Sequence, residues 1–331
     1  MTHLAMCLTG IPSRMRVAAL TEADVPALTR LVADMESAYF GRFEANEPEV
    51  LGVLRSPELH GTRGTAAVWE DDELLAALLA HDGLEHGRGL HLDLFLQPGA
   101  TGREPLAHNL LAATERYGQA LAVPGPDWMK SENFAGDQEL FEVFRDRGYE
   151  QHRVYLRMRI DLTGPPLSPG DPPAGLTART MTDQDWPDLY RVVTSAFADH
   201  YDFHPLPFEA FRTDMLNGTS DRARMRLVFD GEQCVAACIA SKRFAPHKVG
   251  YVETLAVLRQ YRGRGVARFL LHDAFDRDRQ ADFEATTLHC DATNPTGAAH
   301  LYESVGMCRD QEYLAWRTPL AARAVAPSQA G

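Results

Sequence analysis

Arg262-Gly263-Arg264-Gly265-Val266-Ala267 is the stretch whose residue types most directly suggest chemistry. Two glycines flank one residue, and the missing Cβ atoms let a ligand come close to the backbone. Upstream lies Gly250 to Val257 (GYVETLAV), rich in β-branched and apolar residues, which predicts a strand. Downstream, Val266, Phe269, Leu270, Ala274 and Phe275 recur at helical spacing. A strand, a tight loop and a helix start turn several backbone N–H groups toward one point, at the positive end of a helix dipole. Such a point suits a pyrophosphate.

The flanking residues select among phosphate loops. No Lys-Ser/Thr follows the glycines, as a P-loop requires. A dinucleotide fingerprint needs a third small residue, and Arg268 stands there. The remaining pattern, R/Q-x-x-G-x-G/A, is met by Arg262, Gly265 and Ala267. About thirty residues on, Leu288-His289-Cys290-Asp291-Ala292-Thr293-Asn294-Pro295 reads as a strand and an Asn-Pro break, followed by Leu301-Tyr302-Glu303-Ser304-Val305-Gly306-Met307. Both motifs, in this order, resemble the GNAT N-acetyltransferases, and VETLAV with DATNPTGAAHLYE is similar to tandem GNAT proteins of the mycothiol-synthase-like kind.

The resemblance implies coenzyme A in the loop and assigns roles residue by residue. Amides of Gly263, Arg264, Gly265, Val266 and Ala267, with Arg262, would take the pyrophosphate. Leu255, Ala256 and Val257 would carry the pantetheine arm, and a backbone N–H there would polarise the thioester carbonyl. Asn294 would contact the arm, and Tyr302 would protonate the leaving thiolate. Glu253 is the base candidate: alternation puts it on the face of Tyr251 and Leu255, midway along an apolar strand. A carboxylate there is costly without a partner or a task, and partial burial raises its pKa toward that of a useful base. A salt-bridged or rim glutamate is the structural alternative. Asp199, His200, Tyr201, Asp202, Phe203 and His204 fall in an expected loop between the first two helices of this half, read either as an acceptor wall or as an interdomain contact.

These residues need elements to hold them. At 331 residues, 45% hydrophobic and 24% charged, the chain has room for two globular domains. No apolar run approaches a membrane span, and the N-terminal residues lack a secretory pattern, so a cytoplasmic location is expected. A net charge of −13 argues against nucleic acid and anionic membranes as partners. Cys7, Cys234, Cys238, Cys290 and Cys308 lack metal-ligand spacing, and His200 with His204 lacks a third ligand, so no metal is expected. Oligomeric state is left open.

The sequence also repeats. Thr21, Asp24 and Pro26 match Thr182, Asp185 and Pro187; Trp69–Ala77 matches Phe229–Ala237; Phe144–Tyr149 matches Tyr302–Met307, all offset by about 160 residues. Asp161–Gly175 (DLTGPPLSPGDPPAG) reads as a linker, because its prolines preclude a helix or a central strand. The expectation is therefore an α/β (α+β mixed-sheet) fold of two tandem GNAT-like acyl-CoA N-acyltransferase domains: 14–160, degenerate; linker 161–175; and 176–320, catalytic. In the first copy Thr101 is read opposite Arg262 and Glu104 opposite Gly265, with Pro105 removing an amide and Phe144 replacing Tyr302. The expected activity is acetyl transfer from acetyl-CoA to a primary amine of a small molecule by direct attack. Alternatives are a peptide or protein N-terminus as acceptor, or a non-catalytic acyl-CoA sensor.

Overall fold

A computed structural model describes residues 2–82, 89–121, 128–165, 170–200, 203–293 and 297–320. The chain divides into two compact units, Met1–Val154 with Glu312–Gly331, and Tyr155–Gln311. In chain order the first unit holds β1 (Met15–Ala18), α1 (Val25–Phe40), α2 (Glu47–Leu54), β2 (Thr65–Glu70), β3 (Glu73–Asp82), β4 (Gly89–Leu96), α3 (Arg103–Ala120), β5 (Trp128–Phe134) and α4 (Gln138–Asp146). Next come β6 (Glu150–Asp161), β7 (Leu176–Thr180), α5 (Trp186–Phe197), α6 (Phe208–Asn217), β8 (Arg226–Asp230), β9 (Gln233–Ser241) and β10 (Val249–Val257). The chain continues through α7 (Val266–Gln280), β11 (Ala285–Asp291), α8 (Ala298–Ser304) and β12 (Cys308–Pro319).

The first unit's strands run in the order β1-β2-β3-β4-β5-β12, and the second unit's in the order β6-β11-β10-β9-β8-β7. Each sheet is mixed: β4 with β5 and β10 with β11 are parallel, and their neighbours antiparallel. The units divide differently from the expected 14–160 and 176–320. Residues 155–161 of β6 pair with β11 in the second unit, and residues 313–319 of β12 pair with β5 in the first. Each sheet thus ends on a strand from the other half of the sequence.

Local chemistry is the same in both copies. Thr21 with Asp24, and Thr182 with Asp185, form capping boxes ahead of helices that carry Pro26 and Pro187 in the first turn. The β2–β3 and β8–β9 hairpins bulge at matching positions, Val68/Trp69 and Val228/Phe229. Helices α4 and α8 stop alike: Tyr149 N–H donates to Phe144 O and Met307 N–H to Tyr302 O, each at 3.0 Å, around left-handed Gly148 and Gly306.

The second unit's core positions the site. β9 is buried from Cys234 to Ser241, and both α5 and α7 pack against it. Burial pushes the Cys234 and Cys238 thiols up to about 12, which suits packed, unreactive groups. Asp278 on α7 accepts from Thr286 Oγ1 at 2.7 Å and pairs with Arg224. Opposite it is Gly250, where a Cβ would overlap the carboxylate. This contact holds α7 against the start of β10 and β11.

The two capping boxes differ in one respect. Asp185 is buried and accepts from both Arg179 guanidinium nitrogens at 2.6 Å, whereas Asp24 is half-buried and its hydrogen bonds are those of the box. The Arg179 hydrogen bonds hold the Asp185 carboxyl well below the usual range despite burial. Its stabilisation is therefore present above the unfolded-chain value of about 3.9 and is lost as pH falls below it. Asp185→Ala is expected to lower stability by about 1–2 kcal/mol at neutral pH, and progressively less as pH falls below about 3.9, as read by urea unfolding. Asp24→Ala should cost less.

Candidate active site

The site begins where two strands stop pairing. β10 and β11 pair only from Val249↔Ala285 to Tyr251↔Thr287. Beyond that point β11 stays paired with β6 to its end, while β10 stays with β9. The register of β10 against β9 slips between Val252 and Thr254, so Glu253 is a bulge residue. A bulge bends its strand and strengthens its twist, which suits a strand leaving its neighbour. The resulting fork opens into a cavity of about 750 Å3 within the second unit, lined by residues from both arms of the fork, the loop, α7 and α8.

The phosphate loop closes one end. Gly263 and Gly265 have left-handed φ of 73° and 81°, and Gly265 caps α7. Beside Gly263 a Cβ would meet nothing within 4 Å, and beside Gly265 only Pro173 at 4.0 Å, so the backbone faces open space. The first-turn amides of α7 have no acceptor within the helix. Arg262 braces the loop: its Nε donates to Val257 O at 3.2 Å and its Nη2 to Ala196 O at 2.9 Å. Arg264 lies over the Tyr261 ring, and Arg268 donates to the Ser304 carbonyl and hydroxyl, each at 3.0 Å. A pyrophosphate held here would rest on amides and the helix end, with the arginines shaping the cradle. Leu255, Val257, Arg262, Gly263, Gly265, Val266 and Ala267 line the cavity, whereas Ala256 is buried on the other face and Arg264 faces solvent. Asn294 lies outside the described residues, as do Tyr201 and Asp202.

Glu253 is exposed to the cavity rather than enclosed by an alternating strand face, because the bulge turns Val252 and Glu253 both toward the fork. Ser220 Oγ donates to its Oε2 at 3.3 Å. Desolvation by surrounding protein raises its pKa from the ordinary glutamate value, reinforced by Asp214 and opposed by the Ser220 bond and Arg243. Tyr302 lines the same cavity, and its hydroxyl has no hydrogen-bond partner among the described residues. Burial pushes its phenol well above the ordinary range, so it stays protonated.

His200 also lines the cavity, at the end of α5, with its ring 4.4 Å from Phe197 and its pKa lowered by burial. The 196–211 segment is not all loop, since α6 starts at Phe208. Lining residues that escaped the sequence reading include Tyr155 from β6, Cys290 and His289. His289 receives a contact from Tyr251, Oη to Nδ1 at 3.1 Å, and burial with Arg157 and Arg243 pushes its pKa down to about 3. The available signal was polar alternation, Thr287-x-His289-x-Asp291, along a strand otherwise read as apolar.

The first unit fills the corresponding space. Gly102 caps α3 as Gly265 caps α7, so Gly102 stands at Gly265, Thr101 at Arg264 and Glu104 at Ala267. The sequence register was two residues out, because this loop has six residues (97–102) where the second unit has eight (258–265). Arg103, at the first helical position, is buried and pairs with Asp137, the cap of α4, and with Glu139 at 2.9 Å. Phe144 stacks on Trp316 with centroids 5.4 Å apart. The ion pair thus joins the starts of α3 and α4, the counterparts of α7 and α8, and the stacked ring joins α4 to β12. No group of metal-ligating side chains is present among the described residues, and no described helix is long and apolar enough to cross a membrane.

The second unit thus brings a forked mixed sheet, a glycine-capped helix start, an acidic bulge residue and a phenol to one cavity. Residues 185–307 match the model of the acetyltransferase (GNAT) family. A relative named mycothiol acetyltransferase, from Geodermatophilus obscurus, is 28% identical over 185 residues, covering 53% of this chain and 59% of the relative. N-alpha-acetyltransferase 30 of Homo sapiens is 26% identical over 153 residues, covering 45% and 39%. The chain thus spans about half the length of these relatives, 59% and 39%. Among solved structures, a GCN5-related N-acetyltransferase from Sphaerobacter thermophilus has a TM-score of 0.77 at 24% identity, covering 94% of this chain and 97% of the other. A tandem GNAT protein from the clavulanic acid biosynthesis pathway has a TM-score of 0.67 at 15% identity, covering 93% and 99%. The fold is therefore that of a tandem GNAT protein.

Two substitutions separate the units' roles. Gly265→Ala puts a Cβ at φ 81° beside the cradle and is expected to weaken coenzyme A binding about tenfold, measured by isothermal titration. Asp137→Ala leaves Arg103 buried without its main partner and should lower stability by about 3–5 kcal/mol, read by denaturant unfolding, without changing coenzyme A affinity.

Proposed function

We propose that the protein transfers an acetyl group from acetyl-CoA to the primary amine of a small molecule, by direct attack, using the cavity of the second unit. The observation that carries this reading is the convergence of the glycine loop, Glu253 and Tyr302 on one cavity. Loop amides from Gly263 to Ala267 would hold the pyrophosphate. Leu255 and Val257 would flank the pantetheine arm along the part of β10 that has left β11, and backbone groups there are available to polarise the thioester carbonyl.

Glu253 would accept a proton from the amine, directly or through water, and Tyr302 would supply one to the departing sulfur. No cysteine is placed as a nucleophile: burial pushes the Cys290 thiol up to about 11, which disfavours a ping-pong route. A second reading of the acceptor, a peptide or protein N-terminus, is favoured by the N-alpha-acetyltransferase relatives. Both acceptors present a primary amine and require the same proton transfers. A non-catalytic acyl-CoA sensor would have no use for a raised-pKa carboxylate and a hydroxyl without a partner in one cavity.

The first unit is proposed to bind no coenzyme A, because Arg103 and Asp137 join the helix ends there. Titration of coenzyme A into the full chain should give one site per chain; two sites would contradict this. A mass-spectrometric screen of amines and short peptides with acetyl-CoA should reveal an acetylated product. Coenzyme A binding without turnover on any acceptor would sink the enzyme reading.

The base has a pH signature. Glu253 must be deprotonated to accept a proton, and its pKa lies above the usual carboxylate value. The rate should therefore rise with pH through a shifted acidic limb. Glu253→Gln is expected to lower kcat/KM by about 100-fold or more and abolish that limb. Tyr302→Phe should lower kcat with less effect on coenzyme A affinity.

A further inference from the structure

Glu253 has one fixed partner. Ser220 Oγ donates to its Oε2 at 3.3 Å, and its Oε1 takes no hydrogen bond or ion pair from the described residues. Ser220 lies outside the β10–β11 fork, between α6 and β8, and bridges Ser241 at the end of β9. Its hydroxyl has a second neighbour, the Met215 sulfur at 3.4 Å. The hydroxyl carries one proton, and a carboxylate is a far stronger acceptor than a thioether.

The backbone is pinned on both sides of Ser220. Lys242 N–H donates to Thr219 O at 2.6 Å, Asp221 N–H donates to Ala240 O at 2.7 Å, and the Thr219 and Ser241 hydroxyls meet at 2.7 Å. The Asp221 carboxylate accepts from Arg224 Nε at 2.8 Å. Arg224 also donates to Ser241 O at 3.1 Å and pairs with Asp278 beside Gly250, at the closed end of the fork. The contacts that hold the closed end therefore also set the place of the Ser220 hydroxyl.

A base works only when one of its lone pairs meets the proton it takes. A glutamate on an exposed bulge has side-chain freedom that works against this. We propose that Ser220 is a positioning residue for acetyl transfer: it ties down Oε2 of Glu253 and leaves Oε1 to the acceptor amine. This rests on the acetyl-transfer reading above. In that reaction the N–C bond forms, the C–S bond breaks, one amine proton passes to Glu253, and the Tyr302 proton passes to sulfur. Ser220 keeps its own proton throughout, and Glu253 and Tyr302 recover by exchange with water.

The same bond acts on the charge of Glu253. A donated hydrogen bond favours the carboxylate over the acid. At Glu253 it opposes burial, which raises the pKa. Asp214 on α6 also raises it, and Arg243 from the turn after β9 lowers it. His200, His289 and Tyr302 line the same cavity. Loss of the Ser220 hydroxyl and loss of the Asp214 charge should therefore move the titration of Glu253 in opposite directions.

The test uses the full chain with coenzyme A bound. Side-chain carboxyl signals of isotope-labelled glutamate are followed by NMR as pH is varied, with Glu253→Gln identifying the signal. Ser220→Ala should raise the Glu253 midpoint by about 0.5–1 pH unit, and Asp214→Asn should lower it. With alaninamide as the amine probe, Ser220→Ala should lower kcat about 3- to 10-fold above the acidic limb and move that limb upward, with coenzyme A affinity unchanged. Ser220→Thr, which keeps the hydroxyl, should restore most of both. An unmoved Glu253 midpoint in Ser220→Ala would overturn the proposal. So would shifts of one sign in the alanine and asparagine variants, or a threonine variant as impaired as alanine, either of which would mean a general disturbance of the site. If the wild type acetylates neither alaninamide nor any other amine, the acetyl-transfer reading fails, and the titration still decides whether Ser220 holds the carboxylate.

Discussion

Two parallel strands that stop pairing create the cavity on which the second unit's site depends. β10 and β11 are joined for three residue pairs and then part, with the Glu253 bulge on one side of the opening. A sheet interior offers no room for a ligand, because adjacent strands lie about 4.8 Å apart and exchange all their polar groups. Separation leaves backbone donors and acceptors unspent along the inner edge of β10. It also turns residues two past the last pair on each arm into facing walls. The Asp278–Arg224–Thr286 contacts near Gly250 hold the closed end, so the opening has a defined origin.

The first unit forks at the corresponding place, since β4 and β5 pair only from Gly89↔Trp128 to Leu92↔Ser131, but it differs in what surrounds the opening. Its β3–β4 ladder is unbroken from Ala76↔Leu96 to Asp82↔Leu90, with no bulge to bend β4. Its loop is two residues shorter, and the first residue of α3 is an arginine whose charge is met by the cap of α4. A buried ion pair of this kind adds little net stability over an apolar filling, yet loss of either partner is expensive. The ion pair is therefore easier to understand as a replacement for ligand contacts than as a source of stability.

Electrostatics in the second unit divides the work between backbone and side chains. The chain carries a net charge of −13, yet the loop presents amides and a helix end to an anion. The arginines that look like phosphate ligands in the sequence are mostly tied to carbonyls and a ring. Farther along the fork, one carboxyl pKa is pushed up and one imidazole pKa down. Acid–base groups that differ in opposite senses from their solution values are expected where protons are exchanged.

Legibility followed range along the chain. Capping boxes, hairpins, the glycine stops and the strand–loop–helix at Arg262–Ala267 were readable because each is decided by residues within a few positions of one another. Motif spacing also pointed to Tyr302 and to the duplication. The position of Glu253 in a bulge was not readable, since a register slip depends on the partner strand. Nor was the bracing role of Arg262, whose acceptor at Ala196 lies 66 residues away. The loop comparison between copies slipped by two residues, because only the helix caps fix the alignment. The sequence by itself determined the element types, the repeat and the phosphate loop. Tertiary structure alone decided that strand 155–161 closes the second unit's sheet and strand 313–319 the first's, and that Glu253, His289 and Tyr302 line one cavity. Strand partners and cavity walls are chosen by contacts between distant segments, where each candidate edge offers the same backbone hydrogen bonds and only the assembled core distinguishes them.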